Sequence, residues 1–287
     1  MSRFAYVNGR FVRHAEAAVH IEDRGYQFGD GVYEVWAVAA GRLNDAAGHF
    51  DRLERSLGEL RIARPMARGP LEIVLRESIR RNRLVDGLLY LQVTRGVARR
   101  DHPFPDPVPT PSIVITAKPI DPRLGEAKAA AGVAVITVPE CRWARCDIKT
   151  VNLLPNVLAK QAAKEAGAHE AWFVDDLGFV TEGSSTNAWI VDADGVLRTR
   201  DIQANILRGV TRASLMRVAA EQGLKVEQAP FTIDDVRAAR EAFITGASTL
   251  VTPVIRLNGR MLGAGEPGPV AKRLRELYIA EARRGAL

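Results

Sequence analysis

Apolar positions along this chain switch between a two-residue and a helical period, and the switches predict a mixed run of strands and helices. Phe4 to Val12 reads as a hairpin about Asn8-Gly9, because both central positions of a type I′ turn need positive φ. Asn258-Gly259 predicts a second such turn between Val254-Ile255 and Met261-Leu262. Val32 to Ala40 predicts a strand after a polar stretch punctuated by Gly25, Gly29 and Gly31. Phe50, Leu53, Leu57 and Leu60 recur at helical spacing, with Arg52 and Arg55 away from the centre of the stripe. Pro70 marks the start of a second helix with Leu71, Val74, Leu75 and Ile79 on its inner face. Strands follow at Leu88 to Val93 and Ser112 to Ala117, separated by a proline-rich loop from Asp101 to Pro111.

Lys118-Pro119-Ile120-Asp121-Pro122-Arg123-Leu124-Gly125 interrupts the pattern and predicts a linker. Beyond it come a strand at Val133 to Val138, a short loop with Lys149 and a helix from Leu153 to Ala166. Strands then cluster at 171–174, 179–181, 187–191 and 196–199, and helices return at 210–222, 232–240 and 270–284. Thr232 with Asp235 has capping-box spacing. Strands and helices do not alternate regularly, which excludes a doubly wound sheet. The reading is an α+β chain of two lobes, 1–118 and 127–287, joined by a linker over 119–126, with a site in the cleft between them.

Composition narrows the function. A chain of 287 residues that is 47% hydrophobic and 26% charged has a globular composition and the length for two lobes. Its net charge of +6 raises the question of nucleic acid, but the arginines are scattered among acids, as in Arg52-Leu53-Glu54-Arg55. No basic block interleaves with aromatics, so no nucleic-acid partner is expected. Cys141 and Cys146 form neither a disulfide framework nor a C-x-x-C pair, and no metal site is expected. The absence of a secretory apolar stretch after Met1 and of a membrane-length apolar run predicts a cytoplasmic location and no membrane partner.

Chemistry concentrates in a few places. Among seven lysines, Lys160, Lys164 and Lys272 fall on helices with polar neighbours and read as solvated. Lys149 lies just before a helix in Cys146-Asp147-Ile148-Lys149-Thr150-Val151-Asn152, beside small and apolar residues. That setting suits a Schiff-base lysine, with a surface salt bridge to Asp147 as the alternative. Thr181-Glu182-Gly183-Ser184-Ser185-Thr186-Asn187 reads as a loop offering N–H groups and hydroxyls to an anion, or else as a polar turn with an exposed glutamate. Arg100-Asp101-His102 sets two carboxylate binders close together, or is a solvated loop. Gly29-Asp30-Gly31 lacks dinucleotide-fingerprint spacing.

Taken in order, several segments resemble the fold type IV aminotransferases, and within them most closely the D-amino-acid transaminases. Glu22-Asp23-Arg24-Gly25-Tyr26-Gln27-Phe28-Gly29-Asp30-Gly31-Val32-Tyr33-Glu34-Val35 is similar to the N-terminal signature of that group. His49-Phe50-Asp51-Arg52-Leu53, Val93-Thr94-Arg95-Gly96, Arg145-Cys146-Asp147-Ile148-Lys149, Asn152-Leu153-Leu154, Val180-Thr181-Glu182-Gly183-Ser184-Ser185 and Ile206-Leu207-Arg208-Gly209-Val210-Thr211-Arg212 follow in the family's order. The resemblance covers nearly the whole chain.

That resemblance implies a small N-terminal α/β lobe, a larger C-terminal lobe built around a barrel-like sheet, a homodimer, and pyridoxal 5′-phosphate held between the lobes. It implies that Lys149 forms the Schiff base, Glu182 bonds the pyridine nitrogen, Arg52 holds the phosphate and Leu207 packs on the ring. Backbone N–H groups near Val210-Thr211 and Ala247-Ser248 would complete the phosphate cup. Tyr33, Arg100 and His102 would hold the substrate carboxylate. Ala247 departs from the pattern where a hydroxyl residue would help, and Asp101 stands where the family has a small residue. The implied reaction moves an amino group between D-amino acids, such as D-alanine, D-glutamate and D-aspartate, and 2-oxoglutarate or pyruvate. A branched-chain L-amino-acid aminotransferase and a lyase of the aminodeoxychorismate type are the alternatives on the same scaffold.

Overall fold

Asn8 and Gly9 take φ of 44° and 93°, the geometry that joins β1 (Phe4–Val7) to β2 (Arg10–Arg13) in a tight hairpin. The computed structural model describes residues 3–203, 205–284 and 286–287. The chain divides into two compact units. One contains the chain up to Asp121, Ile148–Asn152 and the C-terminal end, and the other Pro122–Asp147 and Leu153–Arg284.

The first unit continues through α1 (Arg24–Phe28), β3 (Gly31–Ala39), β4 (Arg42–Leu43), α2 (Ala46–Glu59), α3 (Arg68–Asn82), β5 (Gly87–Thr94) and β6 (Ser112–Pro119). Its six strands form an antiparallel sheet in the order β2-β1-β6-β5-β3-β4. Along β3, Val32, Glu34, Trp36 and Val38 are buried while Tyr33, Val35 and Ala37 are only partly so, the period-two alternation of a strand. Phe50, Leu53 and Leu57 of α2 join Val32, Trp36 and Val38 in one core, with the Phe50 ring 5.4 Å from that of Trp36. Each such side chain contributes about 1.5–3 kcal/mol by leaving water. Arg52 lies away from the centre of the α2 stripe but not in solvent. It is buried, because Glu34 points at it from β3.

Residues 148–152 belong to this unit and not to the C-terminal lobe in which the sequence reading placed them. They run along β3, with Thr150 bridged to Val32, the Tyr33 N–H donating to the Lys149 carbonyl at 2.9 Å and the Val151 N–H to that of Gly31 at 3.0 Å. Ile148 drops into the core beside the β3 residues. The chain's end returns here too, since Leu43 and Leu287 exchange backbone hydrogen bonds.

The expected linker is also redrawn. Residues 119–126 close β6 and then enter α4 (Pro122–Ala131), because proline is tolerated in the first turn of a helix, where its missing N–H has no partner to lose. The second unit proceeds through β7 (Val133–Pro139), α5 (Leu154–Glu165), β8 (Glu170–Val174), β9 (Val180–Gly183), β10 (Asn187–Val191), β11 (Leu197–Thr199) and α6 (Val210–Glu221). It ends with β12 (Val226–Gln228), α7 (Ile233–Ala238), β13 (Glu241–Gly246), β14 (Leu250–Leu257), β15 (Arg260–Met261) and α8 (Pro269–Arg284). Thr232 and Asp235 form the reciprocal capping box at the start of α7.

These nine strands make one sheet, ordered β12-β11-β10-β13-β14-β7-β8-β9 with β15 on β14. Only three residues join the end of β9 to the start of β10, although four strands separate the two in the sheet. The sheet must therefore curl back on itself, and the expected barrel-like architecture is a half-barrel. Trp172, Phe231, Ile190 and Ile244 fill one face, while Trp189, Phe243, Leu215 and Tyr278 pack α6 and α8 on another. Among the described residues no helix is long and apolar enough to cross a membrane.

Candidate active site

In the first unit, strand alternation sends Glu34 to the helix-packed face of β3 and Tyr33 to the other. Glu34 is fully buried and receives Arg52 Nε at 2.7 Å and Nη2 at 2.8 Å, and His49 Nδ1 donates to it at 2.8 Å. Burial alone would raise the Glu34 carboxyl, but the Arg52 guanidinium outweighs it and holds it at about 2. Glu34 and His49 were not singled out in the sequence. A carboxylate inside an apolar strand, with a basic residue on the next helix, is the signal that could have marked them.

Tyr33 carries the other face. Its ring stacks on that of Tyr90 at 5.7 Å, and the Lys149 ammonium sits 4.2 Å from the centre of the Tyr33 ring. Burial and the neighbouring Tyr33 push the Tyr90 phenol up to about 12. The backbone N–H of Lys149 donates to Ser56 Oγ at 3.3 Å, one helical turn beyond Arg52 on α2. The alternative salt bridge to Asp147 is not made: Asp147 receives Arg145, and Lys149 has no ion pair among the described residues. A lysine held by its backbone and over an aromatic face is fixed in position.

Arg100 and His102 meet on one ring. The Arg100 guanidinium lies 5.1 Å from the centre of Phe28, and the His102 ring is 5.6 Å from it. Their loop is fixed from beneath by Arg24, which donates to the carbonyls of Asp101 at 2.6 Å and His102 at 3.2 Å. Asp30 in turn takes Arg24 Nε at 2.8 Å and Arg95 Nε at 2.7 Å. Asp101 turns its carboxylate to the His102 N–H at 2.8 Å, and among the described residues it forms no ion pair with Arg100. Arg24, Asp30 and Phe28 are thus further residues of this arrangement that the sequence reading quoted only as part of a motif.

In the second unit, Glu182 is buried at the centre of a different network. Arg142 Nη1 reaches its Oε1 at 2.5 Å, Asn187 Nδ2 its Oε2 at 3.1 Å, and the Leu207 N–H both oxygens at 3.1 and 3.2 Å. Burial pushes the Glu182 carboxyl above its usual range against the pull of Arg142. Glycine is required at position 209, since a Cβ there would collide with Asn187 Oδ1. The exposed-turn alternative for Glu182 therefore fails, and so does the reading of the neighbouring hydroxyls as a cup for an external anion. Ser184, Ser185 and Thr186 all donate to the buried Glu170, which also draws Lys160 to 3.2 Å and makes that lysine a structural partner.

Gly209 caps α6, whose first residues are Val210 and Thr211. Among the described residues the buried Thr211 hydroxyl has no hydrogen-bond partner, nor has that of Thr249 in the turn between β13 and β14 that also holds Ala247 and Ser248. Thr249 was missed in the sequence because Ser248, which is exposed, took the role by position.

A family model described as amino-transferase class IV matches residues 31–257. The chain belongs to this family. A D-alanine aminotransferase from Bacillus licheniformis is 42% identical over 265 residues, 92% of either chain. A protein of the same name from Listeria monocytogenes is 39% identical over 276 residues, 96% of this chain and 94% of its own. In structure, a T.th. branched-chain amino acid aminotransferase with pyridoxamine 5′-phosphate superposes with a TM-score of 0.89 at 31% identity, covering 99% of this chain and 95% of that one. The enzyme is an aminotransferase whose cofactor is pyridoxal 5′-phosphate.

The residues present fit that group. Three donors among the described residues serve Glu182, the Leu207 N–H being shared by its two oxygens, so with that N–H on one oxygen alone a fourth lone-pair site can accept a donor such as a ring N–H. The Thr211 and Thr249 hydroxyls, without a partner among the described residues, suit phosphate oxygens, and the start of α6 presents N–H groups to an anion.

Proposed function

We propose that this aminotransferase moves amino groups between D-amino acids, with D-alanine, D-glutamate and D-aspartate among them, and 2-oxo acids such as 2-oxoglutarate and pyruvate. The observation that carries this reading is the pairing of Arg100 and His102 on the Phe28 ring, with the Asp101 carboxylate accepting from the His102 N–H. A guanidinium beside an imidazole is a directional site for a carboxylate. The names of the relatives from Bacillus licheniformis and Listeria monocytogenes point the same way.

Pyridoxal phosphate, when bound, supplies the electron sink for the Cα–H bond. Lys149 holds the cofactor and then moves the proton at the substrate Cα. Glu182 keeps a proton on the ring nitrogen. Thr211, Thr249, the N–H groups near Val210 and at Ala247-Ser248, and the charge of Arg52 orient the phosphate, and Leu207 packs on the ring. Tyr33, Arg100 and His102 orient the carboxylate. Because Lys149 works from one side, the place of that carboxylate decides which enantiomer turns its hydrogen to the ammonium. Leu154, Val157 and Leu158 form an exposed apolar stripe on α5, which supports a homodimer as the working form.

Arg100→Ala tests the carboxylate assignment. It should lower kcat/KM for D-amino acids by about 30- to 800-fold, the equivalent of about 2–4 kcal/mol for one side of a charged pair. An unchanged KM for D-alanine would remove Arg100 from the site.

A further inference from the structure

Arg142 is shared by two carboxylates. Its Nη1 reaches Glu182, while its Nε and Nη2 go to Glu140 at 2.9 and 2.6 Å, and its plane lies on the Phe173 ring at 4.4 Å. Glu140 also accepts the Arg142 backbone N–H at 3.0 Å and the Thr181 hydroxyl at 2.8 Å, so its oxygens are fully engaged. The Arg142 side chain is 6% exposed, which removes water as a source of compensating charge.

The charges around this cluster do not cancel. Glu182 and Glu140 oppose Arg142. Cys146 lies within their field, and burial pushes its thiol up to about 12, so it stays neutral. Asp147 is matched by Arg145, and Arg212, which feels Glu182, also feels the opposite charge of Asp201. Within the cluster one guanidinium, Arg142, faces two carboxylates, Glu182 and Glu140, which leaves one negative charge.

We propose that Glu140 is a positioning residue for the reaction: by occupying two of the three nitrogens of Arg142, it keeps Glu182 from being neutralised and leaves the single negative charge that a protonated ring nitrogen completes. This rests on the reading that Glu182 bonds that nitrogen. Without Glu140, the guanidinium belongs to Glu182 alone, the pair is neutral, and a neutral ring nitrogen becomes the better partner. Nothing in the Glu140 position requires contact with the cofactor. Its effect travels through one buried cation.

The test reconstitutes holoenzyme with pyridoxal phosphate labelled with ¹⁵N in the ring and follows the nitrogen signal from pH 6 to 10. The wild type should show the protonated shift over the widest range. Glu182→Gln should show the neutral shift throughout. Glu140→Gln should fall between, losing the proton at a pH lower by about one or more, the order expected of one charge at an effective dielectric near 20. Glu140→Asp, which keeps the charge, should restore most of the wild-type behaviour. A merely structural role for Glu140 would alter stability and leave the nitrogen signal in place. If Glu182→Gln leaves the signal protonated, the assignment of Glu182 fails. If Glu182→Gln moves it and Glu140→Gln matches wild type at every pH, the inference about Glu140 is overturned.

Discussion

The Lys149 ammonium rests 4.2 Å from the centre of the Tyr33 ring, and the Tyr33 N–H donates to the Lys149 carbonyl at 2.9 Å. The same two residues are therefore joined twice, once through the backbone and once through the side chains. This fixes where the amine stands while leaving its charge without a carboxylate partner among the described residues. Lys149→Ala should fold and retain cofactor noncovalently, but lose turnover by about 100- to 10,000-fold or more. Borohydride treatment of the wild type should attach the cofactor to the peptide bearing Lys149. Near-normal turnover in the variant would remove Lys149 from its role.

Arg24 holds the loop of Arg100 and His102 by two main-chain carbonyls, so it should control substrate binding without touching the cofactor. Arg24→Met is expected to raise KM for D-amino acids by about 5- to 150-fold, the loss of charged hydrogen bonds of about 1–3 kcal/mol, with kcat much less affected. Asp30 keeps Arg95 as a partner in that variant, which preserves the fold. Steady-state kinetics beside the cofactor absorbance spectrum separates the outcomes. A fall in kcat with an altered spectrum would mean that Arg24 acts on the cofactor side instead.

The elements legible in the sequence are those whose geometry has a local cause. Asn8-Gly9 and Asn258-Gly259 marked their hairpins because few residues accept positive φ twice in a row. The stripe of Phe50, Leu53 and Leu57 marked α2 because those side chains share one face. What was not legible depends on partners far along the chain. Arg52 read from the periodicity only as a residue away from the stripe's centre, and its burial follows from Glu34, on a strand 18 residues earlier. Arg142 and Glu140 carried no pattern at all, since their meaning comes from Glu182, 40 residues beyond Arg142. The Ser184-Ser185-Thr186 hydroxyls suggested an external anion, and only the fold shows that the anion is Glu170.

The Glu34–Arg52 pair predicts an acid limit to stability. The folded carboxyl stands at about 2 against a usual 4.5, so its contribution is complete above pH 4.5 and is lost as pH falls toward 2. Glu34→Gln leaves the buried guanidinium without its carboxylate and should cost about 3–5 kcal/mol at neutral pH. Urea unfolding at pH 7 and at pH 3 should show wild type and variant closer together at the lower pH. An equal difference at both would contradict the assignment.

The preference for D-amino acids is tested most directly by single half-reactions, mixing the cofactor-loaded enzyme with D-alanine, L-alanine or L-leucine and following cofactor absorbance. D-Alanine should convert the cofactor rapidly and both L-amino acids slowly, because under the proposed roles a carboxylate anchored by Arg100 and His102 would turn the D enantiomer's hydrogen to Lys149. Faster conversion by L-alanine or L-leucine would contradict that preference.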